Sequence, residues 1–418
     1  MILQNIVYPL PSTPLRDEVF LNSFKSLDCF ASVKEFRDLG YFKAPRFQQW
    51  ISAENFVILG AGGSVLGGKC IHSMAEGLSD DVRAKTPGFL KNFSRRNLQF
   101  STNLDSSSLE KMFSTIDWNN THFLCVSKSG ETLETICQTL LAIERCQSAS
   151  KNNIIANKFA IVTEDKFSSL RQIAEQFNFL FLPHPKSIGG RFSVFSIVGM
   201  LPAFLCGIDP AALRNGGRAI LENASSLRQV LEGAYFMLHN WVQVGGSKNL
   251  QHVSFIYADK LYDFGIWLAQ MYAESTGKSG VGITPITVMG SADQHNQLQL
   301  YLDGYADKCF SFFREVQSNG MAIRNDFIPE SFSYLRNKTI VEIFRAQHDA
   351  TLALLKSHNR HLRTIEIPDC TPTVMGELLM HFMLEVVGVC HLMEINPFGQ
   401  PAVEQGKILA KQMLDPGK

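Results

Sequence analysis

A short apolar run that ends in a glycine-rich loop places the strongest constraint on how this chain folds. Residues 55–59 predict a buried strand, residues 60–65 a turn, and the following residues a helix that extends to Met74. A strand that passes through glycines into a helix is typical of phosphate-binding loops. A dinucleotide-binding loop is the alternative. It is weakened, though not excluded, because its third glycine would fall at Val65.

The same order of elements recurs at residues 121–135, where an apolar strand leads into a loop rich in hydroxyl side chains. A helix start needs one Ser or Thr as its N-cap. This loop offers several hydroxyls around a glycine, with a lysine beside them: Ser127, Lys128, Ser129, Thr132 and Thr135. Capping alone would account for any one of the hydroxyls. Together they suit a phosphate monoester, whose oxygens accept hydrogen bonds from backbone N–H groups and hydroxyls.

Further apolar runs alternate with helical patterns, as expected of parallel sheets covered by helices on both faces. We therefore predict an α/β protein with two doubly wound domains. The predicted strands after residue 126 are 159–163, 179–182, 253–257, 285–289, 309–313 and 362–367. The predicted units are an N-terminal helical cap at 1–50, a first domain at 51–210, a second domain at 211–380 and a C-terminal helical segment at 381–418.

The balance of charge and apolar residues limits what the chain binds. Its 39 basic and 39 acidic residues cancel. The chain therefore lacks the net positive charge with which many proteins bind nucleic acids or anionic membranes. The most apolar window, 192–208, is interrupted by serines, glycines and a proline and falls short of a membrane span. Nine cysteines without a Cys-x-x-Cys pair indicate reduced packing residues, and the first residues predict no export signal. We expect a soluble cytoplasmic protein that binds neither nucleic acid nor membrane.

A glycine pair precedes Arg191 at the start of an apolar run that predicts a buried helix over 192–205. Gly189 and Gly190 permit a close approach of the backbone to a ligand. A cation in the first turn of a helix meets the positive end of the helix dipole, which is unfavourable unless an anion lies opposite. An arginine at a domain edge with its guanidinium in water is the alternative. The glycines and Ser193 favour a site for a negatively charged ligand.

A further candidate segment predicts a helix over 261–274 that ends in Glu274. Gln270 lies one turn earlier on the same face, and a carboxylate at the negative end of a helix dipole is suited to accept a proton. A solvent-exposed pair of Glu274 with Lys278 is the alternative. His295 follows the strand predicted at 285–289, and ligands bind at such strand ends. A lone histidine in a loop is more often incidental.

Four separated segments resemble the glucose-6-phosphate isomerase (phosphoglucose isomerase) family. They are Gly-Gly-Arg-Phe-Ser at 189–193, Glu-Ser-Thr-Gly-Lys at 274–278, Gln-His at 294–295 and the run at 395–407, and they occur in the family's order. The two phosphate loops resemble a sugar isomerase (SIS) domain. The resemblance implies two SIS domains and the reversible conversion of glucose 6-phosphate into fructose 6-phosphate through a cis-enediol, with no metal or cofactor.

The resemblance also implies the roles of individual residues. Glu274 would move a proton between C1 and C2, and Arg191 would stabilise the enediolate. His295 and Lys407 would open the sugar ring. Gln270 and Gln400 would orient the sugar hydroxyls. The phosphate would be held by Gly63, Ser64, Ser127, Lys128, Ser129 and Thr132. The family's homodimer would place His295 in the site of the neighbouring subunit.

Two residues depart from the family pattern. Gly399 stands where the family commonly has aspartate before the glutamine, and Ala402 where it has glycine before the Val-Glu pair. Gly399 puts in question a contact that the aspartate side chain would make in this loop. Ala402 puts in question whether the backbone adopts the angle that the family's glycine permits. Two other functions stay open, a nicotinamide-dependent dehydrogenase and a non-catalytic sugar-phosphate sensor. A sensor has no use for Glu274, His295 and Lys407, and without the resemblance Lys407 would be a solvated lysine on a terminal helix.

Overall fold

The computed structural model describes residues 2–6, 44–79, 82, 96–149, 155–245, 250–316 and 320–415, and in these ranges ten strands form two five-stranded sheets. The strands are β1 Leu3–Ile6, β2 Asn55–Gly60, β3 Asn97–Ser101, β4 Thr121–Val126, β5 Phe159–Thr163, β6 Leu180–Pro183, β7 Leu250–Tyr257, β8 Ile283–Met289, β9 Lys308–Glu315 and β10 His361–Ile367. The helices are α1 Pro45–Trp50, α2 Leu66–Met74, α3 Ser106–Thr115, α4 Leu133–Ala149, α5 Ser169–Gln176, α6 Ile197–Leu205, α7 Pro210–Glu222, α8 Ala224–Gln243, α9 Tyr262–Thr276, α10 Gln294–Asp303, α11 Ile340–Ser357, α12 Pro372–Leu392 and α13 Glu404–Leu414. The predicted α/β class is confirmed.

The two sheets repeat one strand order. The first sheet runs β3-β2-β4-β5-β6 and is parallel throughout. The second, read in the same direction, runs β8-β7-β9-β10-β1, and it is parallel except for the antiparallel edge strand β1. In such sheets ligands bind at the carboxyl ends of the strands, where the order reverses. In the first sheet that point lies between β2 and β4, whose ends carry the glycine loop and the hydroxyl-rich loop.

Helices cover both faces of both sheets. Along β2, Phe56 and Ile58 face one apolar core and Val57 and Leu59 the other, because successive side chains of a strand point to opposite faces. A larger apolar core joins helices from both halves of the chain, among them α2, α6, α9 and α12. Through this shared core α2 packs against α9, so the loop after β2 comes to lie beside a helix of the second half.

Helix α12 runs through this shared core. Among the described residues it alone is long and apolar enough to span a membrane, and 89% of its apolar window is buried inside the protein. Such burial is typical of a core helix. The eight cysteines in the described ranges are free thiols, and Cys29 lies outside those ranges.

Some predicted elements differ from the observed ones. The helix predicted over 192–205 is divided at Ser196, whose side chain accepts a hydrogen bond from the Val198 amide and caps α6, while residues 190–195 form a 3-10 helix. The cap predicted at 1–50 is not helical throughout, because Leu3–Ile6 is a strand of the second sheet. The rest of the prediction for residues 7–43 lies outside the described residues. The boundary predicted between 380 and 381 falls inside α12. The division into domains otherwise stays a prediction.

Candidate active site

Two glycine motifs that are distant in the sequence form one wall of the candidate site. A Cβ atom built on Gly63 would stand 2.4 Å from the carbonyl carbon of Gly190 and 2.5 Å from the amide nitrogen of Arg191, so only glycine fits there. The Ser193 hydroxyl donates to the Gly190 carbonyl oxygen at 2.6 Å and holds the turn. Gly62 has a φ of +53°, and a Cβ there would lie 3.1 Å from Nε2 of Gln270. The loop after β2 therefore touches both the Gly-Gly-Arg segment and α9.

Arg191 lies at the centre of this arrangement, with a side chain that is 2% exposed. Its Nη1 donates to Oε2 of Glu274 at 3.0 Å and to Oε1 of Gln400 at 3.2 Å. Its Nε donates to the Ser275 hydroxyl at 2.9 Å. Burial lowers the pKa of Arg191, and the Glu274 carboxylate opposes that effect. Within the chain the anion opposite Arg191 is the Glu274 carboxylate, and the alternative of a guanidinium in water is wrong. The negatively charged ligand that the sequence favours stays a prediction.

Glu274 is fixed from two sides at the end of α9. Arg191 binds one carboxylate oxygen, and Nε2 of Gln270 donates to the other at 2.7 Å. The side chain is still 30% exposed, so a ligand has access to it. The exposed pair with Lys278 does not form, because Lys278 donates to carbonyl oxygens of residues 396 and 398. The carbonyl oxygen of the Gln270 side chain is buried and has no hydrogen-bond partner in the described part of the chain.

The hydroxyl-rich loop leaves the first sheet beside the glycine loop, since Gly60 and Val126 are register partners on β2 and β4. Within it the hydroxyls of Ser127 and Thr132 lie 2.8 Å apart, and the Gly130 amide donates to the Ser127 hydroxyl at 3.2 Å. Lys128 lies 3.6 Å from Glu164. Ser129 accepts from the Glu131 amide at 3.1 Å. The structure thus holds the loop in a defined conformation at the switch point of the sheet.

The C-terminal motif is only partly brought to the site. Gln400 reaches Arg191, whereas Lys407 lies on the exposed helix α13 and pairs with Glu404 at 2.7 Å. The departures from the family pattern have simple backbone explanations. Gly399 has a φ of +71°, where aspartate and asparagine are the non-glycine residues tolerated best. Ala402 lies in the 3-10 helix Pro401–Val403, a conformation that does not require glycine.

His295 lies far from Glu274 within one chain. The Ile283 amide donates to the Thr276 hydroxyl at 3.0 Å, so the amino end of β8 lies beside the end of α9 that carries Glu274. His295 is exposed in the first turn of α10, which follows the carboxyl end of β8. Strand β8 has seven residues. At about 3.3 Å per residue it separates the two side chains by roughly 20 Å.

Two residues that contribute to the arrangement are missing from the sequence prediction. Ser275 binds Arg191, and Lys278 binds the segment before Gln400. Both belong to the Glu-Ser-Thr-Gly-Lys run, so the motif that identified Glu274 was the available signal.

Comparison with known proteins decides the family. The family described as phosphoglucose isomerase matches residues 33–417. The chain belongs to the phosphoglucose isomerase family. A relative from Haloarcula marismortui, named probable glucose-6-phosphate isomerase, is 32% identical over 364 residues, which is 87% of this chain and 78% of the relative. The glucose-6-phosphate isomerase of Rubrobacter xylanophilus is 30% identical over 404 residues, or 90% of each chain.

Solved structures of similar proteins share the fold. A hypothetical protein from Thermus thermophilus superposes with a TM-score of 0.80 at 26% identity, over 95% of this chain and 93% of that one. A glucose-6-phosphate isomerase from Chlamydia trachomatis gives a TM-score of 0.71 at 22% identity, over 92% of this chain and 74% of that one. The second likeness bears on the fold alone. The predicted fold class of sugar isomerase domains with parallel-rich sheets is confirmed.

Proposed function

We propose that this chain interconverts glucose 6-phosphate and fructose 6-phosphate by moving a proton between C1 and C2 through a cis-enediol. The observation that carries the proposal is the Glu274 carboxylate, which is partly exposed and held between Arg191 and Gln270. Membership of the phosphoglucose isomerase family and relatives named for this activity support it. A sensor that only binds sugar phosphates has no use for such a carboxylate.

The reaction needs a base that removes a proton from one carbon and returns it to the next. Glu274 takes this role because both of its oxygens are oriented and one side of the carboxylate is accessible. The negative charge that develops on the enediolate oxygens falls beside the buried Arg191 guanidinium. A fixed cation in a poorly solvated position stabilises such charge without reorganisation of water.

The sugar is held at both ends. We place the phosphate at the switch point of the first sheet, against Gly63, Ser64, Ser127, Ser129 and Thr132, with the charge of Lys128 nearby. Gln270 and Gln400 orient the hydroxyls near the reacting carbons. The side-chain carbonyl oxygen of Gln270, which has no partner among the described residues, supports this role, since a sugar hydroxyl would satisfy it.

Ring opening is assigned to His295 and Lys407, and this assignment requires a second chain. The rough 20 Å between His295 and Glu274 of one chain is too far for both to touch one hexose, so we propose a two-fold homodimer in which His295 completes the partner's site. Exposed apolar side chains on the second half of the chain support an interface there. They include Tyr305, Met321, Phe327 and Tyr334.

The activity is tested by supplying fructose 6-phosphate and coupling the appearance of glucose 6-phosphate to a dehydrogenase that reduces NADP. Wild-type turnover and incorporation of solvent deuterium at C2 are expected. In Glu274→Gln the exchange at C2 should be lost while 6-phosphogluconate still competes for the site. Undiminished deuterium exchange in that variant would remove Glu274 from the role of base.

The shared site is tested by complementation. Glu274→Gln and His295→Ala should each be inactive alone. When the two chains are unfolded, mixed and refolded together, about half of the dimers are mixed, and each mixed dimer has one intact site. The mixture should therefore recover roughly a quarter of the wild-type activity. If verified heterodimers recover none while wild-type chains refold well, His295 does not act across the interface.

We also propose that the protein works in the cytoplasm, where its free thiols would stay reduced. Cell fractionation with antibody detection tests this.

A further inference from the structure

The segment at residues 395–400, which carries Gln400, has no regular secondary structure and is held by two cations. Four successive carbonyl oxygens, those of residues 396 to 399, accept hydrogen bonds alternately from Lys278 and Arg191. Lys278 Nζ donates to Asn396 and, at 2.8 Å, to Phe398. Arg191 Nη2 donates to Pro397 and, at 3.2 Å, to Gly399. Each cation therefore binds every second peptide of the segment.

At its start the segment is anchored by Ile395, which packs against the shared core and whose amide donates to the Cys390 carbonyl oxygen at 2.8 Å. Beyond Ile395 the described residues give it few contacts besides the two cations. The Phe398 amide is satisfied locally by the side chain of Asn396, and the Phe398 ring lies 5.4 Å from that of Phe192. Helix α13, which follows, has no buried residue. Gly399 has open space where a side chain would stand and a positive φ, which adds backbone freedom. The position of Gln400 thus depends on the two cations.

Lys278 is itself placed by a tight turn at the end of α9. Its amide donates to the carbonyl oxygens of Thr276 and Val281, and the Val281 amide donates back to Lys278. Ser279 and Gly280 between them both have positive φ, as a type I′ turn requires. The lysine lies four residues beyond Glu274 on the same continuous stretch. It therefore couples the segment that carries Gln400 to the helix end that carries Glu274.

Arg191 both holds the segment and, in the proposed mechanism, serves the reaction. Its Nη1 already binds Glu274 and Gln400, and in the proposed mechanism its charge is directed at the enediolate. A second cation that binds alternate carbonyl groups lets the guanidinium keep one position throughout the reaction. Burial, and then the nearby Arg191, lower the pKa of Lys278, in agreement with two cations held close together.

We infer that Lys278 is a positioning residue that clamps residues 395–400 together with Arg191 and so presents Gln400 to the substrate. This inference rests on the proposed isomerase function for its effect on turnover. The clamp itself is a property of the protein without substrate, which allows the two to be tested separately.

The test compares Lys278→Met, which keeps the aliphatic stem but removes the charge and the donors, with Lys278→Arg. The matched control is Lys69→Met, because Lys69 pairs with Asp263 at 3.0 Å at the opposite end of the same helix α9. Hydrogen exchange of the peptide covering 395–410 is measured by mass spectrometry in the protein without ligand. Exchange in this peptide should become at least tenfold faster in Lys278→Met and stay within threefold of wild type in the control.

Turnover of fructose 6-phosphate provides the second measurement. We expect kcat to fall at least tenfold in Lys278→Met with KM changed less than threefold, because the phosphate loops are untouched. Lys278→Arg should recover kcat to within fivefold of wild type. If Lys278 acts through Gln400, the double variant Lys278→Met/Gln400→Ala should be no more than threefold slower than Gln400→Ala alone.

The outcomes separate the clamp from the proposed function. If the peptide 395–410 of Lys278→Met exchanges hydrogen at the wild-type rate, Lys278 does not clamp the segment. If exchange is faster but kcat is unchanged, the clamp does not position Gln400 for the reaction, and the inference is likewise overturned. Independent effects of Lys278 and Gln400 on kcat also overturn it. A wild-type chain with no isomerase activity refutes the proposed function, whereas the exchange measurement still decides whether Lys278 holds the segment.

Discussion

Substitution of Gly63 by alanine tests the contact between the two glycine motifs. The new Cβ would lie 2.4 Å from the Gly190 carbonyl carbon, and ordinary contact begins at about 3.4 Å, so the two loops must separate by about 1 Å. The atoms that would be struck are backbone and cannot rotate away. Arg191 follows directly after Gly190, so the displacement reaches the guanidinium beside Glu274.

A misplacement of about 1 Å at a catalytic site costs on the order of 100-fold in rate. This corresponds to about 2.7 kcal/mol of transition-state stabilisation. We therefore expect Gly63→Ala to reduce kcat/KM for fructose 6-phosphate by at least about 100-fold in the coupled assay.

Gly189→Ala is the matched control, because a Cβ there meets only a ring carbon of Phe192 at 3.7 Å. It should stay within about threefold of wild type, as expected when a side chain makes only ordinary contacts. Circular dichroism and thermal unfolding confirm that both variants fold. A folded Gly63→Ala variant with kcat/KM within threefold of wild type would refute the argument that this contact positions Arg191.

Three further predictions concern charge. Arg191→Lys should lose at least about 100-fold in kcat, measured in the same assay, because an ammonium cannot replace a guanidinium that binds Ser275, Glu274 and Gln400 at once. Arg363→Met should lower the free energy of unfolding in urea by about 3–5 kcal/mol. It removes the guanidinium that binds the fully buried Glu385 at 2.7 Å and leaves only Tyr272 and His381 beside that carboxylate. The exposed pair of Arg336 and Glu330 offers Arg336→Met as a control, with at most about 1 kcal/mol expected. Burial lowers the pKa of His122 to about 4. Between pH 6.5 and 4 the unfolded state therefore binds a proton that the folded state does not, so stability falls as pH drops through this range and is unaffected by His122 above it. His122→Asn should therefore flatten the stability profile in this range, and an unchanged slope in chemical unfolding would contradict the assignment.

The strands that the sequence predicted well are those with continuous apolar runs. Strands β4 and β5 have the bounds that the sequence predicts, 121–126 and 159–163, because both are buried on two faces and end at polar loops. Strand β3 was missed because its first four residues alternate between exposed and half-buried positions. Strand β1 has only four residues and takes its order from pairing with β10, which local sequence does not reveal.

The candidate site shows the same limit. Glu274 and Gln270 share a helix face, so their contact follows from helical spacing. The contacts of Arg191 with Glu274 and Gln400 span 83 and 209 residues, and they depend on how the two halves pack. The alternation of Lys278 and Arg191 along one backbone segment is likewise a result of tertiary structure. The types and spacing of these residues in the sequence do not predict this alternation.

Strand β1 is synthesised long before the strand with which it pairs. That partner, β10, ends at Ile367 and leaves the ribosome much later, and Gln4 accepts a hydrogen bond from Arg363 across a separation of 359 residues. Until β10 has emerged, β1 has no native strand to pair with. Strand β1 therefore stays unpaired until β10 has been translated, and during that interval its backbone is accessible to other chains.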